Sequence, residues 1–227
     1  PRILKKRKGY IDRIKPFMQK SVVKVLTGQR RVGKSFLLYQ LIEEILAKEP
    51  DANIIYVNLE DFTFSSLQTA EDLHSYIISH SKEKAKNYIP GFEKVIRSLL
   101  LNEDNDIYIT GSNAKMLSGE LATYLSGRYI EFKIYSLSYS EFLEFHGLTE
   151  SETSYELYSR YGGLPYLLNL PLEDETVNEY LKSVYSTIVF RDVVSRYKLR
   201  NTLFLEKLIQ FLCENIGNLF SAKNISD

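Results

Sequence analysis

The stretch Gly28-Gln29-Arg30-Arg31-Val32-Gly33-Lys34-Ser35 decides the fold, because it combines two glycines, a lysine and a hydroxyl at a demanding spacing. Glycines let the main chain wrap closely around an anion, so that successive N–H groups point inward at it. The preceding residues 21–27 are a β-branched run that predicts a buried strand, and residues 35–48 have helical spacing of apolar side chains. A strand, a glycine-rich turn and a helix in this order indicate a phosphate-binding loop, or P-loop, over residues 28–35.

Each position of the P-loop has an expected task at a nucleoside triphosphate. Main-chain N–H groups would hold the phosphates, and Lys34 would reach the β- and γ-phosphates. The Ser35 hydroxyl would coordinate Mg²⁺. We therefore expect ATP and Mg²⁺ as cofactors, Ser35 as the metal ligand and Lys34 also as a catalytic residue. The expected binding residues are Gly28, Gln29, Arg30, Arg31, Val32, Gly33, Lys34, Ser35 and Phe36.

The composition is typical of a globular protein with balanced charge. The 227 residues are 44% hydrophobic and 26% charged, and 29 basic residues match 29 acidic ones. This balance argues against a dominant non-specific nucleic-acid surface, although it leaves room for a local patch. No apolar stretch approaches the ~20 residues needed to cross a bilayer, and residues 1–8 lack the apolar core of a secretory signal. We expect a cytoplasmic protein without a membrane partner.

Two smaller features have plain structural interpretations. The single cysteine, Cys213, lies in the apolar stretch 208–213, and we expect its thiol to be buried. One cysteine cannot form an internal disulfide, which fits a reducing compartment. The basic cluster at residues 5–8 offers charge for phosphate or nucleic acid, but we favour a solvated helix face.

The order of the predicted elements gives an α/β fold. Apolar strands separated by helices predict a parallel sheet that is covered on both faces. Only helices are predicted from about residue 140 onward. Besides the strand and helix that flank the P-loop, the expected elements are a basic helix ending near residue 18, strands at 53–59, 106–110 and 129–135, and helices at 69–80, 92–101 and 114–125.

We predict three parts in the chain. Residues 1–138 form a P-loop NTPase domain with a parallel sheet and flanking helices, and residues 139–200 form an all-helical lid. Residues 201–227 begin with an amphipathic helix at 203–212 and look like the start of a truncated winged-helix unit. Through this last part we expect the chain to bind a protein or DNA client.

Further motifs follow the P-loop along nearly the whole chain. They include Tyr56-Val57-Asn58-Leu59-Glu60-Asp61, Ile109-Thr110-Gly111-Ser112-Asn113, Leu125-Ser126-Gly127-Arg128-Tyr129 and Tyr161-Gly162-Gly163-Leu164-Pro165-Tyr166-Leu167. With them the chain resembles the prokaryotic AAA+-like ATPases that carry a carboxy-terminal domain of unknown function, a group near the STAND and archaeal-type ATPases. The resemblance implies a nucleotide-driven switch, in which ATP binding closes the lid and reorients the carboxy-terminal region. It also allows an oligomer.

The resemblance implies two catalytic residues outside the P-loop. In AAA+-like enzymes a polar residue after the strand at 106–110 contacts the γ-phosphate or the attacking water, and Ser112 takes this position. Arg128 corresponds to an arginine that senses or stabilises phosphate charge, a task that suits the planar guanidinium. It acts either on the nucleotide of its own chain or on that of a neighbour. An ordinary turn around Ser112 and a surface salt bridge at Arg128 remain alternatives.

One motif of the resembling family is missing. Such ATPases place an apolar strand that ends in two acidic residues, the Walker B element, shortly before a proline-glycine turn. Here Asn87-Tyr88-Ile89 leads directly into Pro90-Gly91. Those carboxylates would position Mg²⁺ and polarise the attacking water, so nucleotide binding survives their loss better than hydrolysis does. Either the protein lacks the element, or residues between Ile89 and Pro90 are absent from this sequence, which we favour.

Three functions therefore stay open after the sequence alone. The leading one is an ATPase that works as a nucleotide-driven switch. The alternatives are an ATP-binding regulatory module that does not hydrolyse its ligand, and a DNA-binding protein regulated by ATP. Glu60 and Asp61 follow another predicted strand and are a weaker candidate for the missing acidic pair.

Overall fold

A three-stranded parallel sheet carries the P-loop at the end of its central strand. The computed structural model describes residues 5–81, 96, 99, 100, 102, 104–111, 125, 127–195, 198–219 and 221. The sheet has the order β2-β1-β3, with β1 (Val23–Thr27) between β2 (Tyr108–Gly111) and β3 (Tyr129–Lys133). All five residues of β1 are buried, as expected for a parallel strand that is covered on both faces.

Seven α-helices lie within the described residues: α1 (Lys8–Ile14), α2 (Lys34–Lys48), α3 (Ala70–His80), α4 (Tyr139–His146), α5 (Glu152–Tyr161), α6 (Asp174–Thr187) and α7 (Thr202–Glu214). Three-residue 3₁₀ turns lie at Lys15–Phe17 and Phe62–Phe64, a longer one at Pro165–Asn169, and a π-helical segment at Ile188–Ser195. Capping boxes start two helices, because Thr69 pairs with Asp72 and Ser138 with Glu141.

Helices cover both faces of the sheet and create two apolar clusters. On one face, Leu26 of β1 packs with apolar side chains of α1 and α2, such as Ile14 and Leu41. On the other face, Val25 packs in a cluster with Leu73 and Ile77 of α3. Alternate residues of β1 therefore serve opposite cores, as the two-residue period of a strand requires.

The predicted α/β fold with a parallel sheet and flanking helices is confirmed, but the strand expected at residues 53–59 is wrong. These residues form no strand, although Ile55 and Val57 are buried in the same cluster as α3. A strand needs a neighbouring backbone for its hydrogen bonds, and none of the three described strands pairs with residues 53–59. Burial of alternate side chains, which the sequence pattern reports, does not supply that partner.

The chain divides into two compact units, Pro1–Leu170 and Pro171–Asp227. The second unit contains α6, the π-helical segment and α7, which begins at an Asn201 cap and matches the predicted amphipathic helix. The expected burial of Cys213 is wrong, because its thiol is exposed and Leu205 is the buried residue of α7. An apolar pattern along a helix does not by itself provide a covering surface.

Two predictions about the organisation of the chain stay predictions. The winged-helix start falls partly on residues 220 and 222–227, which lie outside the described residues. The predicted three-part division also stays a prediction. Within the part of the chain that the structure describes, no helix has both the length and the apolar character needed to cross a bilayer.

Candidate functional site

The P-loop joins the end of β1 to the beginning of α2 through residues in unusual backbone conformations. Gly28, Arg31 and Gly33 have φ angles of 139°, 69° and 91°. Positive φ costs a glycine nothing, but it costs a residue with a Cβ atom of the order of 1 kcal/mol. Alternation of left-handed and right-handed residues turns main-chain N–H groups toward one side, which makes a concave site for an anion.

Gly28 is needed for a close approach as well as for its backbone angle. A Cβ atom at this position would lie 2.1 Å from the carbonyl oxygen of Ile134. The Ile134 N–H in turn donates to the Thr27 carbonyl oxygen at 2.7 Å. The chain that leaves β3 therefore packs directly against the first residue of the P-loop, and only glycine fits there.

Lys34 is the buried cation of the site. Its side chain is 9% exposed, and its Nζ donates to the carbonyl oxygens of Gly28 and Gln29 at 2.8 and 2.6 Å. The ammonium group therefore lies against the P-loop. Phosphate oxygens are stronger acceptors for an ammonium group than neutral carbonyls are, so these contacts are ones that a phosphate would displace.

The beginning of α2 presents the remaining groups that a nucleotide and Mg²⁺ need. The helix has 15 residues and starts at Lys34, and the Leu37 N–H makes a helical hydrogen bond to the Gly33 carbonyl oxygen at 3.0 Å. The N–H groups of residues 34–36 belong to the first turn, where the helix dipole favours negative charge. The Ser35 side chain is exposed. These residues fit a phosphate chain with an attached magnesium ion.

The acidic residues after position 59 have separate local tasks. Glu60 pairs with Arg30 of the P-loop, with Nη1 and Oε1 3.5 Å apart. Asp61 accepts from the Thr63 N–H at 2.9 Å and from the Thr63 hydroxyl at 2.8 Å. These two bonds, the backbone one first, hold the pKa of Asp61 below its ordinary value. Asp61 is thus a turn residue, and Glu60 is the member of this acidic pair that contacts the P-loop.

Of the two catalytic residues expected outside the P-loop, the structure describes Arg128 but not Ser112. Ser112 lies outside the described residues, but Gly111 before it is the register partner of Thr27, the last residue of β1. Arg128 precedes β3, and its carbonyl oxygen accepts from the N–H of Val23, the first residue of β1. The side chain of Arg128 is exposed. The five residues of β1, roughly 16 Å, therefore separate Arg128 from the P-loop of its own chain.

Arg7 is a residue of the site region that the sequence interpretation missed. The basic cluster at residues 5–8 was expected on a solvated helix face, and for Arg7 this is wrong, because the residue is 5% exposed. Its guanidinium donates to the carbonyl oxygen of Val32 in the P-loop at 3.3 Å. A run of basic residues does not indicate which of them will be buried, because the partners of the buried residue lie far away along the chain.

Comparison with known families agrees with this geometry. A family model described as an AAA domain matches residues 20–143, more than half of the chain. A model described as a domain of unknown function (DUF8612) matches residues 152–227. The chain belongs to the AAA domain family, whose P-loop ATPase core is followed here by that carboxy-terminal domain.

Two curated proteins that are similar to this chain are both described as uncharacterized. An uncharacterized protein of Haemophilus influenzae is 36% identical over 239 residues, covering 97% of this chain and 58% of its own length. An uncharacterized protein of Methanocaldococcus jannaschii is 30% identical over 225 residues, covering 90% of this chain and 49% of its own. This chain thus spans about half the length of the curated relatives it matches.

Among solved structures, Cdc6p from Pyrobaculum aerophilum is similar over 82% of this chain and 63% of its own, with 14% identity and a TM-score of 0.49. A similarity at this level says nothing about the ligands of the present chain.

Proposed function

We propose that this chain binds ATP, or a closely related nucleoside triphosphate, with Mg²⁺ at residues 28–36 and works as a nucleotide-dependent switch. The observation that carries the proposal is the P-loop itself. Its glycines occupy positive-φ positions between a buried parallel strand and a long helix, and Lys34 lies against its carbonyl groups. Membership of the AAA domain family supports the same interpretation.

Each group of the P-loop has a defined role in this proposal. The main-chain N–H groups of residues 29–36 bind phosphate oxygens, and the Lys34 ammonium leaves the Gly28 and Gln29 carbonyls to neutralise the β- and γ-phosphates. The Ser35 hydroxyl would supply one ligand to Mg²⁺, and the ion would withdraw charge from the phosphates. The remaining residues of the loop, including Arg30 and Arg31, add positive charge at its rim.

The switch part of the proposal rests on the turn at residues 162–165. A Cβ atom added to Gly33 would lie 3.6 Å from Cγ of Pro165, so this turn borders the P-loop. Gly163 packs against Leu137, where a Cβ atom would lie 2.2 Å from the carbonyl oxygen, and its own carbonyl oxygen accepts from the Leu137 N–H at 2.7 Å. A nucleotide in the P-loop would meet this turn, which connects α5 to the following helices.

Hydrolysis needs an acidic pair in addition to the P-loop. The acidic pair that would activate water is missing from the sequence, and residues 87–91 lie outside the described residues. The alignment with the Haemophilus influenzae relative extends over 239 residues, more than the 227 of this chain, so that relative has positions without a counterpart here. Ser112 remains the candidate contact to the γ-phosphate. A non-hydrolysing ATP-binding module is therefore the second candidate.

Arg128 serves a neighbouring copy in this proposal. Arg128 lies beside the beginning of β1, at the end of that strand opposite the P-loop, and its side chain is exposed. An exposed guanidinium at that end can reach a phosphate only in another molecule, so catalysis with Arg128 requires an oligomer. Mixing Lys34→Ala chains with Arg128→Ala chains tests this, because the mixture combines an intact P-loop with an intact Arg128. Restored turnover supports action in trans, and a mixture as inactive as its components contradicts it.

Phosphate release separates the two candidate functions. We expect the 227-residue chain with ATP and Mg²⁺ to bind nucleotide in either case, and Lys34→Ala to abolish binding. Turnover above that of Lys34→Ala supports an ATPase, whereas binding with turnover equal to that variant supports the non-hydrolysing module. A protein or DNA client at residues 201–227 stays a proposal.

A further inference from the structure

Arg7 is a buried cation in the segment that precedes α1. It is 5% exposed, and burial of a charged group costs several kcal/mol unless it is paired and hydrogen-bonded. Because Arg7 lies beside the P-loop, a role at the binding site would explain why a charge is buried there at this cost. The sequence interpretation assigned it no role.

The guanidinium of Arg7 is fully engaged. Nε and Nη2 donate to the two carboxylate oxygens of Glu141, each at 2.8 Å. Nη1 donates to the carbonyl oxygens of Val32 at 3.3 Å and Tyr135 at 2.8 Å, and Nη2 also donates to Ser136 at 3.3 Å. Five hydrogen bonds use the five N–H donors of an arginine. No other basic side chain can reproduce this set, since lysine has three donors on a single atom.

The main chain around Arg7 is fixed to the P-loop helix as well. The Arg7 N–H donates to Oε1 of Gln40 at 3.1 Å, and Nε2 of Gln40 donates to the Lys5 carbonyl oxygen at 2.9 Å. Gln40 belongs to α2 and is 2% exposed. The segment from residue 5 to 7 is therefore held on α2 before its guanidinium reaches the P-loop.

The bond to Val32 has a direct consequence for the P-loop. The Val32 carbonyl and the Gly33 N–H belong to one planar trans peptide group, so they point in opposite directions. Because Arg7 holds the carbonyl on one side, the Gly33 N–H is turned to the other. If this peptide rotated freely, it would sample orientations in which the Gly33 N–H points away from a ligand and cannot donate to it.

We propose that Arg7 is a positioning residue, which holds the Val32–Gly33 peptide so that the Gly33 N–H faces the phosphate chain, and which ties that peptide to Glu141 at the beginning of α4. The inference rests on the proposed nucleotide-binding function. Arg7 itself contacts no ligand. Nucleotide binding and the beginning of α4 are then linked through one guanidinium.

The test compares two conservative variants, Arg7→Lys and Glu141→Gln, with the unaltered chain. Affinity is measured with a fluorescent ATP analogue and Mg²⁺, and melting temperature is recorded without nucleotide. Arg7→Lys is expected to weaken binding by about tenfold or more, and Glu141→Gln by less, because its amide oxygen still accepts one bond from Arg7. The matched control is Asp106→Asn, which alters a buried ion pair at the far end of β1 and is expected to lower only the melting temperature.

A second readout distinguishes positioning from general stability. In the ¹⁵N-labelled chain, ATP with Mg²⁺ is expected to shift the Gly33 amide resonance strongly, and this shift is reduced in Arg7→Lys but retained in Asp106→Asn. Binding by Arg7→Lys within about twofold of the unaltered chain, with the Gly33 shift intact, would overturn this inference alone. Failure of the unaltered chain to bind the analogue would overturn the proposed function and this inference with it.

Discussion

The two ends of β1 each bury a lysine, and the two lysines have different partners. Lys24, near the beginning of the strand, is fully buried and forms an ion pair with Asp106. Lys34 follows the other end and donates to the main-chain carbonyls of Gly28 and Gln29. The first cation is held by a carboxylate that matches its charge. Among its described contacts, the second donates to neutral carbonyl groups that a phosphate can replace.

The Lys24 end has the features of a structural anchor. Besides Lys24, Asp106 accepts from the Gln19 N–H at 2.8 Å and from the Tyr108 hydroxyl at 3.1 Å. Lys24 also donates to the Val22 carbonyl oxygen at 2.8 Å. Burial lowers the pKa of Lys24, and the charge of Asp106 opposes that shift. A buried lysine therefore indicates a binding site only when a ligand can displace its partners.

Breaking the anchor is expected to have the largest effect on stability. Asp106→Ala leaves the Lys24 charge buried without its carboxylate, which should lower the free energy of unfolding by about 3–5 kcal/mol. Urea denaturation without nucleotide measures the change. Asp12→Ala, which removes a carboxylate that is 70% exposed beside Lys15, is the matched control and should leave the midpoint unchanged. If the Asp106→Ala midpoint equals that of the control, the ion pair between Lys24 and Asp106 does not stabilise the fold.

Removing the other lysine should affect binding more than stability. Lys34→Ala is expected to weaken ATP binding by at least about 100-fold, which corresponds to ~2.7 kcal/mol. Competition against a fluorescent ATP analogue measures the affinity. Lys48→Ala replaces an exposed lysine at the end of the same helix and should bind as the unaltered chain does. Equal affinity of the Lys34 and Lys48 variants would show that the P-loop lysine has no part in binding.

A methyl group at the first glycine of the P-loop tests the close approach of Ile134. Gly28→Ala would place Cβ 2.1 Å from the Ile134 carbonyl oxygen, and the forced displacement should cost about 1–3 kcal/mol of stability. Thermal unfolding and nucleotide titration should both report a loss. Gly9→Ala is the control, because a Cβ atom on Gly9 of α1 meets nothing within 4 Å and alanine favours a helix. A Gly28 variant as stable as the Gly9 variant would contradict this geometry.

The smallest expected effect concerns Glu141 and pH. Burial raises the pKa of Glu141, but hydrogen bonds from Arg7 and Ser138 lower it by more, so it lies below its ordinary value. The folded state then favours the charged form, and the resulting stability is present above the ordinary pKa and lost as the pH falls below it. Glu141→Gln should be less stable by about 1 kcal/mol at pH 7.

This difference between Glu141→Gln and the unaltered chain should shrink as denaturation is repeated at acidic pH. Glu144→Gln, an exposed replacement on α4, serves as the control. A difference that stays constant between neutral and acidic pH would mean that the Glu141 charge does not stabilise the fold.

The sequence predicts the P-loop and its flanking elements well because their information is local. Glycine spacing, a β-branched run and helical periodicity all lie within residues 21–48, and β1 and α2 were found there. The supposed strand at 53–59 failed because strand formation depends on a distant backbone. Arg7 was missed for the same reason, since its partners Val32 and Glu141 are 25 and 134 residues away along the chain.

A calorimetric titration of the 227-residue chain with ATP, in the presence and absence of Mg²⁺, tests whether the P-loop binds the nucleotide with its metal ion. The P-loop geometry predicts one saturable site per chain, tighter binding with Mg²⁺, and loss of the signal in Lys34→Ala. Absence of saturable binding to the unaltered chain, or binding that Lys34→Ala retains at the same affinity, would contradict it.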